Sequence, residues 1–540
     1  MSETGIVAPS LPSAGAGEAL NLNGETDDFS NLSGFGRGAL LASIVVVALC
    51  GIVYELVIGA VSSYLLGNSV YQFSITIGFF MFAMGAGSFV SQYVRTRLIY
   101  NFILVEIILA VIGGVCSIAL FLTFPFSPAT YSTVMMAFIL SIGFLVGLEI
   151  PILTRILAQS SGTRKSIASV MSLDYVGALM GSVAFPLVLL PSLGLVRASF
   201  AIGLANILVA LVTLICLRQH VPRPGRLTAI AVGVFLSLGL LIAAGARLTG
   251  FAQQHLYFDD IIWQKQTPYQ SLVVTKAWRK TDLRLYIDGH LQFAQEDEHR
   301  YHEALVHPVM SYAGRRENIL ILGGGDGLAV RELLKYTDIQ HIDLVDIDPA
   351  ITTLARTFAP LVQLNENAFA DPRVAVFNQD AFTFIKAPPR AYDRVIIDMP
   401  DPHDAALSKL YSVEFYAMIR STLREGGYVV TQSSSPFFAR RTFWSVGETL
   451  KAVFPDHQAY QVSIPSFGIW GFHLAGLGER LDQAGPLQVE TRYWTQALGT
   501  ATMAFPADIA PTPNPIVNSI FEPRLYQLYL KDMKKRLATG

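Results

Sequence analysis

The stretch ILILGGGDGLAVREL, residues 319–333, decides how the C-terminal half of the chain is read. Four strand-type apolar residues run into Gly323, Gly324, Gly325 and Gly327, and a helix-like repeat follows. Glycine at a strand–helix turn permits a tight bend and lets a ligand approach the backbone at a helix N-terminus. Alone, this is a weak signal. The next apolar run ends LVDIDP (344–349), which sets Asp346 about 20 residues on, where a carboxylate accepts hydrogen bonds from both ribose hydroxyls. The run after it ends NQDAF (378–382) and sets Asp380 near the place of an adenine amino group. A fourth, RVIIDMPDPHD (394–404), ends in Asp398 and Asp401, with Pro400 and Pro402 limiting the freedom of the loop.

Strand and helix patterns alternate through this half, which predicts a largely parallel sheet with helices on both faces, a Rossmann-like α/β domain. Ligands of such sheets bind beyond the carboxyl ends of the strands. All the acidic residues named above sit there. Asp326 inside the glycine loop is a poor neighbour for a phosphate and a good one for an amine or sulfonium. The pattern therefore fits an adenosyl sulfonium better than a dinucleotide. Two carboxylates at the fourth strand suit a reaction that holds a protonated diamine and deprotonates one nitrogen. Asp398 is then the general base, and Asp401 and Asp326 hold the cation.

Outward from this core the chain changes character. It has 540 residues, 52% apolar and only 15% charged. The apolar excess lies between residues 38 and 248, as successive runs long enough for about 30 Å of hydrocarbon. Seven are read, near 39–63, 71–94, 102–124, 129–150, 168–190, 197–217 and 227–247. Glycines at helical spacing in GFFMFAMGAGS and GALMGS suit close helix packing in lipid. Glu55, Glu106, Glu149 and Asp174 fall within or at the ends of these runs, where charge is costly and faces the bundle interior. Residues 1–37 read as a disordered tail without the order of a signal peptide. The net charge of −2 gives no reason to expect nucleic acid. Cys50, Cys116 and Cys216 lie in apolar runs without metal-ligand spacing, so neither a disulfide nor a metal is expected.

The expected fold is thus multi-domain. An all-α transmembrane bundle of about seven helices (38–248) precedes a small β-rich subdomain (249–300). A Rossmann-like, methyltransferase-type domain (301–480) and a mixed C-terminal extension (481–540) follow.

The chain resembles the spermidine synthases, or polyamine aminopropyltransferases, over about residues 257–478. The motifs that carry this are TPYQSLVV, YIDGHLQFAQEDEHRYHEAL, ILGGGDGLAVRELLK, LVDIDP, NQDAF, IIDMPDP and IPSFGIWGF, in order, with a weaker match in RYWTQALGTATMAFP. The apolar N-terminal half resembles the membrane-attached bacterial subgroup. The resemblance implies transfer of the aminopropyl group of decarboxylated S-adenosylmethionine, a co-substrate, to putrescine, with no metal and no tightly bound cofactor. It also implies a homo-oligomer, a dimer, in the bacterial inner membrane. By the resemblance, Gln270, Asp346, Asp380 and Ala381 hold the nucleoside beside Gly323 and Gly325. His302 and Asp326 hold the amine, and Tyr301 lines the same pocket. Asp398 takes the proton, Asp401 is the second amine ligand, and Gln432 is a further candidate. Two departures touch the amine pocket: Met399-Pro400 and His403-Asp404-Ala405 replace the usual loop, and Phe467 stands where soluble members carry Tyr.

Two other functions fit part of the pattern: an S-adenosylmethionine-dependent methyltransferase, and a polyamine carrier or sensor built on the intramembrane carboxylates. The side of the catalytic domain is open at this stage. Basic residues cluster after the second, fourth and sixth runs, so seven crossings put the C-terminal domain outside. The cytosolic origin of the donor argues for the inside.

Overall fold

The computed structural model describes residues 29, 34–66, 69–254, 257–277, 282–454, 456–477, 481 and 484–537. Most of the expected tail lies outside these residues. Where the two overlap, the expectation is corrected: Gly34–Arg37 already belong to the first helix, which begins at Gly34.

Among the described residues the N-terminal half is a helical bundle: α1 (Gly34–Leu66), α2 (Ser69–Val90), α3 (Leu98–Thr123), α4 (Pro128–Ser161), α5 (Thr163–Ala184), α6 (Leu190–Cys216) and α7 (Pro224–Gln254). Six continuous helical stretches are long and apolar enough to cross a bilayer. One of them, Thr163–Cys216, contains both α5 and α6, and Gly194 breaks it with φ 71° and ψ 177°. Here the chain doubles back. Gly177 of α5 packs on Val45 and Ala48 of α1, while Ile202 of α6 accepts from the Cys50 thiol of the same helix. Both halves thus reach one level of α1. Glycine makes these approaches possible: a Cβ on Gly177 would lie 2.2 Å from the Val45 carbonyl oxygen.

Odd-numbered helices run one way and even-numbered ones the other. The C-terminal ends of α1 and α7 therefore meet the rest of the protein together. Tyr64, near the end of α1, lies against Ser271 and Tyr257. Gln254, the last residue of α7, donates to Asp259 O at 2.8 Å and accepts from Ile261 N at 3.0 Å. The basic loops lie at the opposite end, where Arg155 donates to Val94 O at 2.7 Å and Ser91 O at 2.8 Å.

A four-stranded antiparallel sheet follows, β1 (Asp260–Gln266), β2 (Ser271–Lys276), β3 (Leu283–Ile287) and β4 (His290–Ala294). Then α8 (Glu298–Met310) leads into a seven-stranded sheet of β5 (Asn318–Gly323), β6 (His341–Asp346), β7 (Val374–Asn378), β8 (Tyr392–Asp398), β9 (Leu423–Gln432), β10 (His457–Ile464) and β11 (Gly468–Gly476). Its order is β10-β11-β9-β8-β5-β6-β7, with β5 to β9 parallel and the last two strands antiparallel. Between the strands run α9 (Leu328–Leu334), α10 (Pro349–Thr357), α11 (Ala359–Leu364), α12 (Ala381–Phe384), α13 (Ala405–Ser408), α14 (Val413–Thr422) and α15 (Arg440–Lys451). The chain closes with α16 (Gln496–Ala501) and α17 (Leu525–Leu537).

β5 is buried along its whole length, because both faces of the sheet are covered. Its alternate residues feed two cores. Ile319 and Ile321 pack with α8 and α9, and Leu320 and Leu322 pack with α14 and α15. The strand order reverses at β5, where β6 lies on one side and β8 on the other. That reversal opens a crevice at the carboxyl ends of the strands.

Candidate active site

The glycine loop between β5 and α9 forms one wall of the crevice. Gly323 pairs in register with Asp398 at the tip of β8. Its φ is 87°, and a Cβ there would lie 2.0 Å from the Asp398 carbonyl oxygen, so only glycine fits. Gly325 faces the tip of β6. Its N–H donates to Asp346 Oδ2 at 3.1 Å, while Asp348 N donates to Oδ1 at 2.9 Å. Asp326 accepts from Leu328 N at 2.9 Å and so fixes the first turn of α9. One loop thus sets its own Asp326 beside two strand-tip carboxylates, Asp346 and Asp398.

The second wall comes from α8. The Tyr301 hydroxyl donates to Asp398 Oδ1 at 2.6 Å. His302 Nδ1 lies 2.9 Å from Glu298 Oε2, one helical turn earlier, and Arg331 of α9 grips both Glu298 oxygens at 2.9 and 3.0 Å. Burial opposes a charge on His302, but the hydrogen bond and charge of Glu298, with Asp326 and Asp398 nearby, lift it to about 9. The imidazole is therefore a cation at neutral pH. Burial pushes Asp398 up to about 6; Asp326 adds to this, while His302 and the Tyr301 hydrogen bond oppose it. Burial likewise raises Asp346 to about 7 and lifts Asp326. Carboxylates set into a crevice with raised affinity for protons are what a general base near neutral pH needs.

Asp401 lies beyond the tip of β8 and interacts with the same Tyr301. It accepts from Ser434 Oγ at 3.0 Å and lies 3.4 Å from Gln432 Nε2, and burial raises its pKa. Gln432 at the end of β9 also donates to the Tyr411 hydroxyl at 2.6 Å, and Tyr411 holds Pro400 O at 3.0 Å. The Tyr529 hydroxyl, from the C-terminal helix, is hydrogen-bonded to Asp401. Asp532 anchors that helix by accepting from Thr442 N and Oγ1, both at 3.1 Å.

Asp326, Asp346, Asp398, Tyr301, His302, Asp401 and Gln432 therefore surround one crevice with Gly323 and Gly325. Asp380 stands at its rim. It caps α12 by accepting from Thr383 N at 3.2 Å and pairs with Lys409 Nζ at 2.9 Å. Burial opposes ionisation of Asp380, but the Lys409 hydrogen bond and charge outweigh it and hold its pKa down. Ala381 is buried behind it. Gln270 lies in the β1–β2 turn, which Thr267 ties to the tip of β6 by donating to Asp348 Oδ2 at 2.8 Å. Sequence reasoning missed Glu298, Arg331, Tyr411, Ser434 and Tyr529. The Glu298–His302 spacing of one helical turn was a legible signal. For Tyr529 the sequence carries none.

Residues 298–479 match the spermine/spermidine synthase domain family. Polyamine aminopropyltransferase 1 of Streptomyces coelicolor is 41% identical over 489 residues, 87% of this chain and 91% of that protein. The chain belongs to the polyamine aminopropyltransferases. Polyamine aminopropyltransferase 2 of Ralstonia nicotianae is 44% identical over 468 residues, covering 85% of this chain and 91% of the relative. The enzyme of Oceanobacillus iheyensis is 39% identical, covering 90% of this chain and 96% of its own. A crystal structure of a spermidine synthase in complex with the transition-state analogue AdoDATO is 25% identical, with a TM-score of 0.43, over 46% of this chain and 85% of that one. As a member of this family the chain is an aminopropyltransferase, with decarboxylated S-adenosylmethionine as co-substrate.

Proposed function

We propose that the chain is a membrane-embedded enzyme that moves the aminopropyl group of decarboxylated S-adenosylmethionine to putrescine, giving spermidine and methylthioadenosine. The observation that carries this is the Asp398 carboxylate, hydrogen-bonded to Tyr301 and set beside the glycine loop in one crevice with Asp326, Asp346 and Asp401. In the proposed reaction a neutral amine nitrogen attacks the methylene carbon next to the sulfonium. The N–C bond forms as the C–S bond breaks, and its electron pair stays on sulfur. The leaving group is a neutral thioether and needs no acid. The nitrogen's proton passes to Asp398. Aligning the reactants and freeing the lone pair are the main tasks left to the protein.

Asp346 is assigned to the ribose, with Gln270, Gly323, Gly325, Asp380 and Ala381 around the rest of the nucleoside. Asp326 and Asp401 are assigned to the ammonium groups, with Gln432 orienting Asp401. Cationic His302 sits between Asp326 and Asp398 and lowers their mutual repulsion. Assay of full-length protein with both donors and a panel of diamines tests the proposal. Spermidine formation from the decarboxylated donor is expected. Methyl transfer from intact S-adenosylmethionine would establish the methyltransferase reading instead.

The bundle of α1–α7, Gly34 to Gln254, is proposed to anchor the catalytic regions and the C-terminal extension that follow it to the bacterial inner membrane. Phe79, Phe82, Leu179, Ile215 and Leu240 stand exposed on its outer surface, an apolar expanse suited to lipid. Basic loops opposite the catalytic domain support an external position for that domain under the positive-inside rule. A reporter fused after Gly540 checks this: activity of a cytoplasm-only reporter contradicts it. The homodimer is part of the same proposal, and sedimentation in detergent tests it.

A further inference from the structure

Glu106 and Glu149 are fully buried inside the helical bundle. The two carboxyl groups, from α3 and α4, lie within hydrogen-bonding reach of each other. Apart from that mutual contact, no donor among the described residues reaches any of their four oxygens. Asn206 of α6 is also fully buried, and neither its oxygen nor its nitrogen has a partner.

The helical wheel shows that these groups share one space. On α3, Ala110 and Gly114 touch α6, and Gly113 meets the Tyr54 ring of α1. Glu106 falls between those two directions at 3.6 residues per turn. On α6, Ile202 O meets Cys50 of α1, and Gly203 meets Ala110 of α3. Asn206 falls between those directions in the same way. Both side chains thus point into the groove where α1, α3 and α6 meet.

Their heights agree as well. Antiparallel pairing of α3 with α6 at Ala110 and Gly203 brings Glu106 level with Asn206. Gly51 of α1 packs on Val146, so Glu149 reaches the same turn of α1. Glu106 lies about 12 Å along α3 from its first residue at 1.5 Å per residue, well inside the hydrocarbon. Asp174 interacts electrostatically with Glu149 from α5. Glu55 is not part of this group.

Buried oxygens in hydrocarbon are costly when left without donors. The set has five unpartnered oxygens against two unpartnered donor groups, the Asn206 amide nitrogen and the Tyr54 hydroxyl of α1 that faces both glutamates. A primary ammonium group brings three N–H donors and the matching charge. We propose that Glu106, Glu149 and Asn206 form a cation site in the bundle that takes the ammonium group of an amine, separate from the catalytic crevice. It rests on the reading of α1–α7 as a membrane bundle and of the crevice as an amine-binding active site.

Calorimetric titration of full-length protein in lipid nanodiscs with spermidine and with putrescine, methylthioadenosine being present, tests it. Wild type is expected to bind two amines per chain. Glu106→Gln/Glu149→Gln is expected to bind one and to keep aminopropyl transfer within two-fold. Asn206→Leu, with the carboxylates intact, is expected to weaken the second event at least five-fold. Asp401→Asn is expected to lose the crevice event and keep the bundle event. One equivalent in wild type, two retained in the double variant, or heat released by sodium chloride with the amines silent would overturn the proposal. Retained transfer reports that the variants fold. Sedimentation with the membrane fraction tests the bundle reading separately.

Discussion

The helical bundle and the catalytic domain both bury carboxylates, and they treat them differently. In the crevice every acid has a partner: Tyr301 on Asp398, Leu328 N on Asp326, Gly325 N on Asp346, Ser434 on Asp401. In the bundle Glu106 and Glu149 have only each other. Partners fix geometry, which a proton transfer needs. A pair without them is poised for a mobile cation. The same side-chain chemistry thus serves positioning in one region and exchange in the other.

The largest effect that would sharpen this contrast is at the glycine loop. Gly323→Ala sets a Cβ against the Asp398 carbonyl at a position with positive φ, so transfer should fall more than 100-fold or the domain should fail to fold. Circular dichroism beside the assay separates the two. Asp401→Asn should lower kcat/KM for the diamine by about 10- to 100-fold, mostly through KM, since a charge-assisted bond to an ammonium contributes about 1.5–3 kcal/mol.

Next comes pH. Asp398 accepts a proton only when ionised, and its pKa is raised to about 6. kcat/KM should therefore rise with pH through about 6 and level off above it. An unshifted profile near 4 would show that burial does not tune this group.

Tyr529→Phe removes one hydrogen bond to Asp401 and should raise KM for the acceptor about five-fold, as a loss of about 1 kcal/mol does, with kcat nearly unchanged. An unaltered KM would detach the C-terminal helix from the acceptor pocket. The smallest expected effect on transfer is that of Glu106→Gln/Glu149→Gln. A strong loss there would dissolve the distinction between the two regions.

Much of the catalytic region was legible because strand tips are. LVDIDP and IIDMPDP each end a buried apolar run with a carboxylate, NQDAF sets Asp380 two residues beyond the half-buried edge strand β7, and parallel β5, β6, β7 and β8 carry those tips to one edge. The bundle was legible by length and hydropathy. Its double-back at Gly194 was foreseen only as two separate runs, since a single glycine in an apolar stretch does not announce a reversal. Gly34–Arg37 read as tail because their composition is that of the tail, yet they begin α1. Tyr529 and Ser434 were not legible at all. Their meeting with Asp401 depends on how α17 and the end of β9 pack, which no local pattern encodes.

The most direct test of the central claim is the turnover of Asp398→Asn with saturating decarboxylated S-adenosylmethionine and putrescine. Loss of the base should cost about 10²- to 10⁴-fold in kcat while methylthioadenosine still binds. Turnover within a few-fold of wild type would contradict the account and move the base elsewhere in the crevice.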